Sequence, residues 1–271
     1  MATKDDVVNI KFRSLRHCIG FLGLLLPSLI VLQAWIVCDC SLQDSISHYF
    51  YTVSAPWFIG ILWGLGLVLI FYPTPDPAST PYSTCSWRIC KLIKPGYDGT
   101  LTTISGIFAI CVSLIPTNAG SNDSCAIFFY GDSPLRAGIH YFSAASMLLI
   151  FSYMSICIFT RTNDEHWETN KWKVWRNHVY TWSGMITFLS IVTVGVLALL
   201  DAFTDIKVWS KSTYWLEVSA LIPFGISWLV KGGFMLTNEG DPSTLEKAKN
   251  VLTKKKRISP GEKSADQENH I

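Results

Sequence analysis

Apolar residues in this chain collect into six long blocks separated by polar gaps, at residues 18–37, 54–72, 101–116, 139–160, 180–200 and 213–236. A bilayer core of about 30 Å is crossed by about 20 apolar residues in helix. Helix is required because hydrocarbon offers no partner to a free backbone amide. The pattern therefore predicts an all-α, polytopic six-helix bundle spanning residues 18–236. It is preceded by a cytosolic arm, 1–17, and followed by a basic, largely disordered cytosolic tail, 237–271, with a short helix around 243–254. The third block, LTTISGIFAICVSLIP, is the shortest and most polar of the six.

Basic residues supply an independent test of the count. Eighteen Lys and Arg lie in the N-terminal arm, the second gap, the fourth gap and the tail, whereas only Arg136, Lys207 and Lys211 lie in the alternate gaps. Cytoplasmic loops accumulate Lys and Arg, so both termini are expected in the cytosol. Removing the third block would destroy the alternation. A largely polar arm of seventeen residues precedes the first block and VCDC follows it, so a retained span is expected there rather than a cleaved signal. Only 15% of the residues are charged, against roughly 25% in soluble domains. The net charge of +2 is modest, and nucleic acid is not an expected partner. Membrane lipids are, with anionic headgroups at the basic loops and tail.

The eight cysteines divide by position. Cys18, Cys111 and Cys157 fall in blocks and read as small packing residues. Cys85 and Cys90 sit in a cytosolic loop, where thiols usually stay reduced. Cys38, Cys40 and Cys125 face outward, so Cys125 can bridge to Cys38 or Cys40; spacing alone leaves both open. Asn122 opens an N-x-S sequon in the same outer region. Gly60, Gly64 and Gly66 form a small-residue face suited to close helix packing inside the bundle or, less simply, to a dimer.

Polar residues outside the basic gaps gather in two zones. The outer one holds Asp44, Ser45, Ser47 and His48 before the second block, His140 at the fourth, Asp201 after the fifth and Glu217 one turn into the sixth. A carboxylate inside a span costs several kcal/mol unless paired, hydrated or protonated. Glu217 is thus the sharpest single candidate, with a wet interfacial position as the plain alternative. Asp44, Ser47, His48, His140 and Glu217 form a candidate outer polar pocket. Two imidazoles and a carboxylate can bind a metal on paper, but no HExxH or close His spacing is present, so neither metal nor cofactor is expected. The inner zone, Asp98, Arg176, Asn177 and Lys231, reads as structural: Lys231 either snorkels to headgroups or pairs with Asp98.

Several short blocks follow one another in order: Asp44-Ser45-Ile46-Ser47-His48-Tyr49 with Tyr51-Thr52, Phe58-Ile59-Gly60, Gly96-Tyr97-Asp98, Ser105-Gly106-Ile107 with Pro116-Thr117, His140-Tyr141-Phe142-Ser143-Ala144-Ala145, Arg176-Asn177 with Tyr180, and Glu217 with Phe224-Gly225-Ile226-Ser227-Trp228 and Lys231-Gly232. Together they resemble the DUF998 family of membrane proteins and the related Frag1/DRAM/Sfk1-like six-span group. The pattern departs from the family at His48 and Pro56-Trp57. The resemblance implies a six-helix bundle and no particular reaction.

Walker loops, dinucleotide fingerprints, GxSxG elbows and CxxC pairs are absent from the sequence, and no loop is long enough to house a soluble enzyme. Three functions remain: small-solute transport or lipid handling through the outer pocket, a non-catalytic scaffold whose basic tail binds lipid or protein, and an intramembrane lipid-modifying enzyme. The first predicts that His48, His140 and Glu217 converge in a solvent-reached cavity. The second predicts a closed bundle. The third requires a nucleophile or metal within hydrogen-bond reach of His140 or Glu217.

Overall fold

A computed structural model describes residues 4–73, 87–91, 97–119, 125–162, 166–204 and 211–238. Cys85, the Asn122 sequon and the tail beyond residue 238, with its expected helix, lie outside the described residues.

The described chain is all-α, with a helix at each of the six apolar blocks: α1 (Lys4–Cys38), α2 (Ala55–Ile70), α3 (Asp98–Leu114), α4 (Pro134–Tyr153), α5 (Lys171–Phe203) and α6 (Ser212–Lys231). Local chemistry explains several starts. The Ser133 hydroxyl accepts from Arg136 N–H and Pro134 occupies the first turn of α4, where a missing N–H costs nothing. Asn170 caps α5 through Lys173 N–H. Helices α1 and α5 outrun their apolar blocks: α1 takes up the polar arm and α5 begins at Lys171, so both carry basic turns beyond the hydrophobic stretch.

Four segments are long and apolar enough to cross a membrane: Phe12–Cys38, Pro134–Ile158, Lys171–Asp201 and Ser212–Lys231. This marks a multi-pass integral membrane protein by helix length and hydropathy. Helices α2 and α3 are shorter, at 16 and 17 residues, or about 24–26 Å at 1.5 Å per residue. Ahead of α2 lies the 3-10 turn Ile46–Tyr51, with Ile46, Ser47, Tyr49, Phe50 and Tyr51 all buried.

Each helix packs on its neighbours in sequence, and α6 closes the ring against α1. At one end the core is aromatic: Phe151 stacks on Phe224 at 3.9 Å between centroids, and Trp228 meets the edges or faces of Tyr72 and Phe159. A second apolar cluster at the other end gathers Ile30, Tyr49, Tyr51, Phe58 and Leu62.

Two seams are set by glycine. A Cβ on Gly106 would lie 2.5 Å from Gly66 O across the α2–α3 contact, and one on Gly225 would lie 2.8 Å from Gly20 O across the α1–α6 contact. Of the three glycines singled out in α2, Gly66 makes the close contact, Gly64 meets only Leu22, and Gly60 faces open space. The helix rotates Gly60 and Gly66 onto different faces, so a shared spacing motif does not mean a shared interface.

At the end of α4 the backbone widens into a π turn, Met154–Ile158, closed by Phe159 N–H donating to Met154 O at 2.9 Å. Gly184 of α5 fits against it, close to Ile156 and Ser152 O.

Replacing Gly106 with Val forces backbone apart at the α2–α3 seam and is expected to cost about 1–3 kcal/mol, read as a lower thermal midpoint in detergent. Gly60→Ala is expected to leave that midpoint unchanged.

Candidate functional site

The outer candidates converge around the turn Ile46–Tyr51. Glu217, on the second turn of α6, accepts from the Ser45 hydroxyl at 2.9 and 3.0 Å through its two carboxylate oxygens, and its Oε2 accepts from Ile46 N–H at 2.6 Å. Ser45 Oγ in turn accepts from Ser47 N–H at 3.1 Å. Ser47 Oγ lies 2.8 Å from His140 Nε2, and His140 Nδ1 lies 2.7 Å from Ile115 O. Because a carbonyl only accepts, Nδ1 carries the proton; in the neutral ring Nε2 is then the acceptor and the Ser47 hydroxyl donates to it. A continuous hydrogen-bonded chain thus runs from α6 through the turn and α4 to the end of α3.

The physical logic is that of an anchored cap. The start of a 3-10 turn exposes N–H groups that helical bonding leaves free, and the Glu217 carboxylate satisfies one of them with a charge-assisted bond. The turn is also held from outside. Cys40 is bonded to Cys125 across 85 residues, Ile127 N–H donates to Tyr51 O at 2.9 Å, and Phe128 and Tyr130 pack on Phe50 and Tyr51. The Tyr51 hydroxyl donates to Thr117 O. Burial pushes that phenol above its ordinary value of 10.0, against the opposing pull of the Arg136 cation.

Not every outer candidate joins the chain. Asp44 pairs with Lys211 at 2.8 Å on a half-exposed surface, and only its backbone carbonyl reaches α6, accepting from Tyr214 N–H. His48 shares the turn and is partly buried, but the link to His140 runs through Ser47. Asp201 is exposed near the end of α5. Ser45, which spacing placed among ordinary polar neighbours, holds the centre of the chain; only its position ahead of a short apolar turn hinted at a cap. His140 is 1% exposed and Ser47 7%, while Glu217 is part-buried, so the structure joins His140 and Glu217 through a largely buried network and leaves His48 outside it. Bonding of Cys125 to Cys40 leaves Cys38 free and exposed. No group of three or more potential metal-ligating side chains occurs among the described residues.

At the opposite end the inner candidates do not form one cluster. Asp98 pairs with Arg161 at 2.8 Å, with side chains 9% and 7% exposed. Of the two readings of Lys231, headgroup snorkelling or pairing with Asp98, the pairing is not made: the chain leaving α4 brings Arg161 to Asp98 on α3, a proximity that sequence spacing does not reveal. Lys231 Nζ instead donates to Phe159 O at 2.9 Å and sits over the rings of Phe159 and Tyr180. Lys173 Nζ donates to Thr160 O and Arg161 O, both at 3.3 Å. Two ammonium groups thus cap carbonyls at the C-terminal end of α4, where the helix dipole is negative. Arg176 donates to Leu236 O and Asn238, and Asn177 is buried nearby on α5. Arg16 donates to the Tyr72 hydroxyl at 2.7 Å and to Lys231 O.

A second correction concerns cysteine. Cys90, expected as a reduced loop thiol, and Cys157, expected as a packing residue, are bonded to one another. The 3-10 turn Arg88–Lys91 folds back onto the π turn of α4, and no local pattern in the sequence encodes that return.

No protein-family model, curated protein or solved structure matches the chain.

Two substitutions separate the ends. Glu217→Ala strands the Ser45 hydroxyl and Ile46 N–H and is expected to cost about 1–3 kcal/mol, with Glu217→Gln less harmful because one acceptor remains. Asp98→Ala leaves Arg161 buried without its partner and is expected to cost about 3–5 kcal/mol, largely recovered in the double variant Asp98→Leu, Arg161→Met. Thermal unfolding in a single detergent checks both.

Proposed function

We propose that this chain is a six-span membrane protein with both termini in the cytosol, and that it handles a lipid headgroup or similar small polar solute at its outward end. The antiparallel ring, the basic alternation and the ordered motifs that resemble the DUF998 and Frag1/DRAM/Sfk1-like group all support six spans. On this reading α2 and α3, though short, cross the membrane inside the ring, with the buried turn Ile46–Tyr51 making up depth on the outer side.

The observation that carries the functional reading is the chain from Glu217 to His140. A carboxylate, two hydroxyls and an imidazole from three separate segments are gathered where a purely structural bundle needs none of them. In the closed state the turn satisfies Glu217. When the turn lifts, the carboxylate, the Ser45 and Ser47 hydroxyls and the imidazole face outward together. That set suits an ammonium- or hydroxyl-bearing headgroup, with Glu217 taking the cation and Ser47 and His140 the neutral polar atoms.

A second reading is favoured by one distance, the 2.8 Å between Ser47 Oγ and His140 Nε2. A hydroxyl donating to an imidazole whose other nitrogen is held by a carbonyl has the arrangement of a nucleophile and its general base, which suits acyl transfer on a lipid ester.

Purified protein reconstituted with amine-headgroup lipid should gain thermal stability, by about 2.7 kcal/mol at a hundredfold excess over Kd. Glu217→Gln and His140→Ala should lose the gain. If both variants respond to the lipid as wild type does, headgroup handling is wrong, and stabilisation by anionic lipid alone through the basic tail would favour the scaffold. A fluorophosphonate probe that labels Ser47, and fails on Ser47→Ala and His140→Gln, would establish the hydrolytic reading. Reporter tags found on opposite sides of the membrane would overturn the topology.

A further inference from the structure

We propose that Cys90 and Cys157 form a reversible thiol/disulfide site on the cytosolic side, exchanging electrons with small-molecule thiols and disulfides of the glutathione type. The compartment assignment rests on the six-span topology above; the pairing of the two sulfurs does not.

The geometry brings together two residues 67 positions apart with Cα atoms at 4.8 Å, within the span that a disulfide bridges without backbone movement. Arg88 and Lys91 flank Cys90, and Arg161 follows Cys157 by four residues. These basic flanks belong to the face where Lys and Arg accumulate. Glutathione and thioredoxin hold thiols reduced there, and the disulfides that do form are mostly transient or redox-sensing. The chain therefore carries two cysteine pairs in opposite environments. Cys40–Cys125 lies on the outward side, where a structural bond persists, and Cys90–Cys157 lies where the same bond is under continual thiol attack.

The surroundings say what the bond controls. Along the turn Arg88–Lys91 and the preceding Trp87, Cys90 is the only buried residue; Trp87, Arg88, Ile89 and Lys91 are exposed. Cys90 is therefore the peg that seats this segment, lodged with Ile156 and Cys157 and lined by Tyr153 and Met185. Its partner stands on the π turn, a backbone insertion often found where a helix carries function. With the bond closed, the segment is tied to α4. With two thiols, a single buried side chain seats it, and the already exposed Trp87, Arg88, Ile89 and Lys91 move away from α4 with the turn when it lifts. Both sulfurs are nearly fully covered, so exchange proceeds when the turn lifts.

Oxidation runs in two steps. One protein thiolate attacks a sulfur of the small-molecule disulfide, releasing one small thiol and leaving a mixed disulfide. The second protein thiolate then displaces the other small thiol and forms the Sγ–Sγ bond. Two electrons pass to the small-molecule disulfide, and the two protons leave with the two released thiols. Reduction is the reverse.

The test is differential alkylation of the full-length protein in intact cells, with peptides carrying Cys90 and Cys157 followed by mass spectrometry. In resting cells both are expected to be alkylated as free thiols. Diamide should remove both together, and a permeant reductant should restore both, while Cys40 and Cys125 stay protected throughout. In Cys90→Ser, Cys157 can go no further than the mixed disulfide, so after diamide it should carry the small-thiol adduct in place of the Sγ–Sγ bond, and the reciprocal variant should behave likewise. A pair that is oxidised at rest and ignores the reductant, or that keeps free thiols after diamide, overturns the proposal. Protease accessibility of a C-terminal tag is read in parallel. A tag cut from outside overturns the topology and the cytosolic assignment with it, whereas an internal tag beside an unresponsive pair overturns the redox site alone.

Discussion

A polar group carried into hydrocarbon must be satisfied by the protein, because lipid supplies neither donors nor acceptors. Most of what distinguishes this molecule follows from that demand. Hydroxyls along the helices turn back onto their own carbonyls, as Ser105 does on Thr102 O, Ser143 on Ile139 O and Thr160 on Ile156 O, or cross to a neighbour, as Ser54 does to Ile30 O, Ser152 to Gly184 O and Thr187 to Ala220 O. Those crossing bonds need close backbones, which is why small residues line the seams. The larger polar groups are too far from their own backbones to be served this way. They set the two ends of the bundle.

At the Glu217 end, satisfaction takes the form of a plug. The Glu217 carboxylate of α6 takes Ile46 N–H at the start of the 3-10 turn, while the turn pairs others itself, as His48 N–H does with Ser45 O. His140 ties the same turn to α3 and α4. The polar residues that make this end chemically interesting are thus the ones that close it, and any ligand competes with the turn for the same atoms. At the Lys231 end the solution is distributive: Lys231 and Lys173 take the carbonyls that end α4, Asp98 takes Arg161, and Arg16 takes Tyr72. One end concentrates its polarity in a single chain of bonds and the other spreads it over every helix terminus, which is why the first is the better candidate for binding and the second for stability.

The two disulfides follow the same division. Cys40–Cys125 reinforces the plug. Cys90–Cys157 fastens a basic, aromatic segment to a widened turn of α4.

Helix positions were legible in the chain because the length of an apolar run is a local property: each apolar block carries its own helix whatever the packing. Even the weak third block became α3. Glu217 and His140 stood out for a similarly local reason, the cost of polarity in an apolar run. What the chain alone left open was every decision made between segments. Cys125 had two possible partners, Lys231 had either headgroups or Asp98, Ser47 stood among the pocket candidates with no partner assigned and Ser45 stood beside it, and Cys90 and Cys157 looked unrelated. Hydropathy acts on one residue at a time against its solvent, whereas a hydrogen bond, an ion pair or a disulfide depends on which distant segment the closed ring brings within about 3 Å. Residue order alone says where helices run and which groups need partners; which partners they meet depends on how the ring packs.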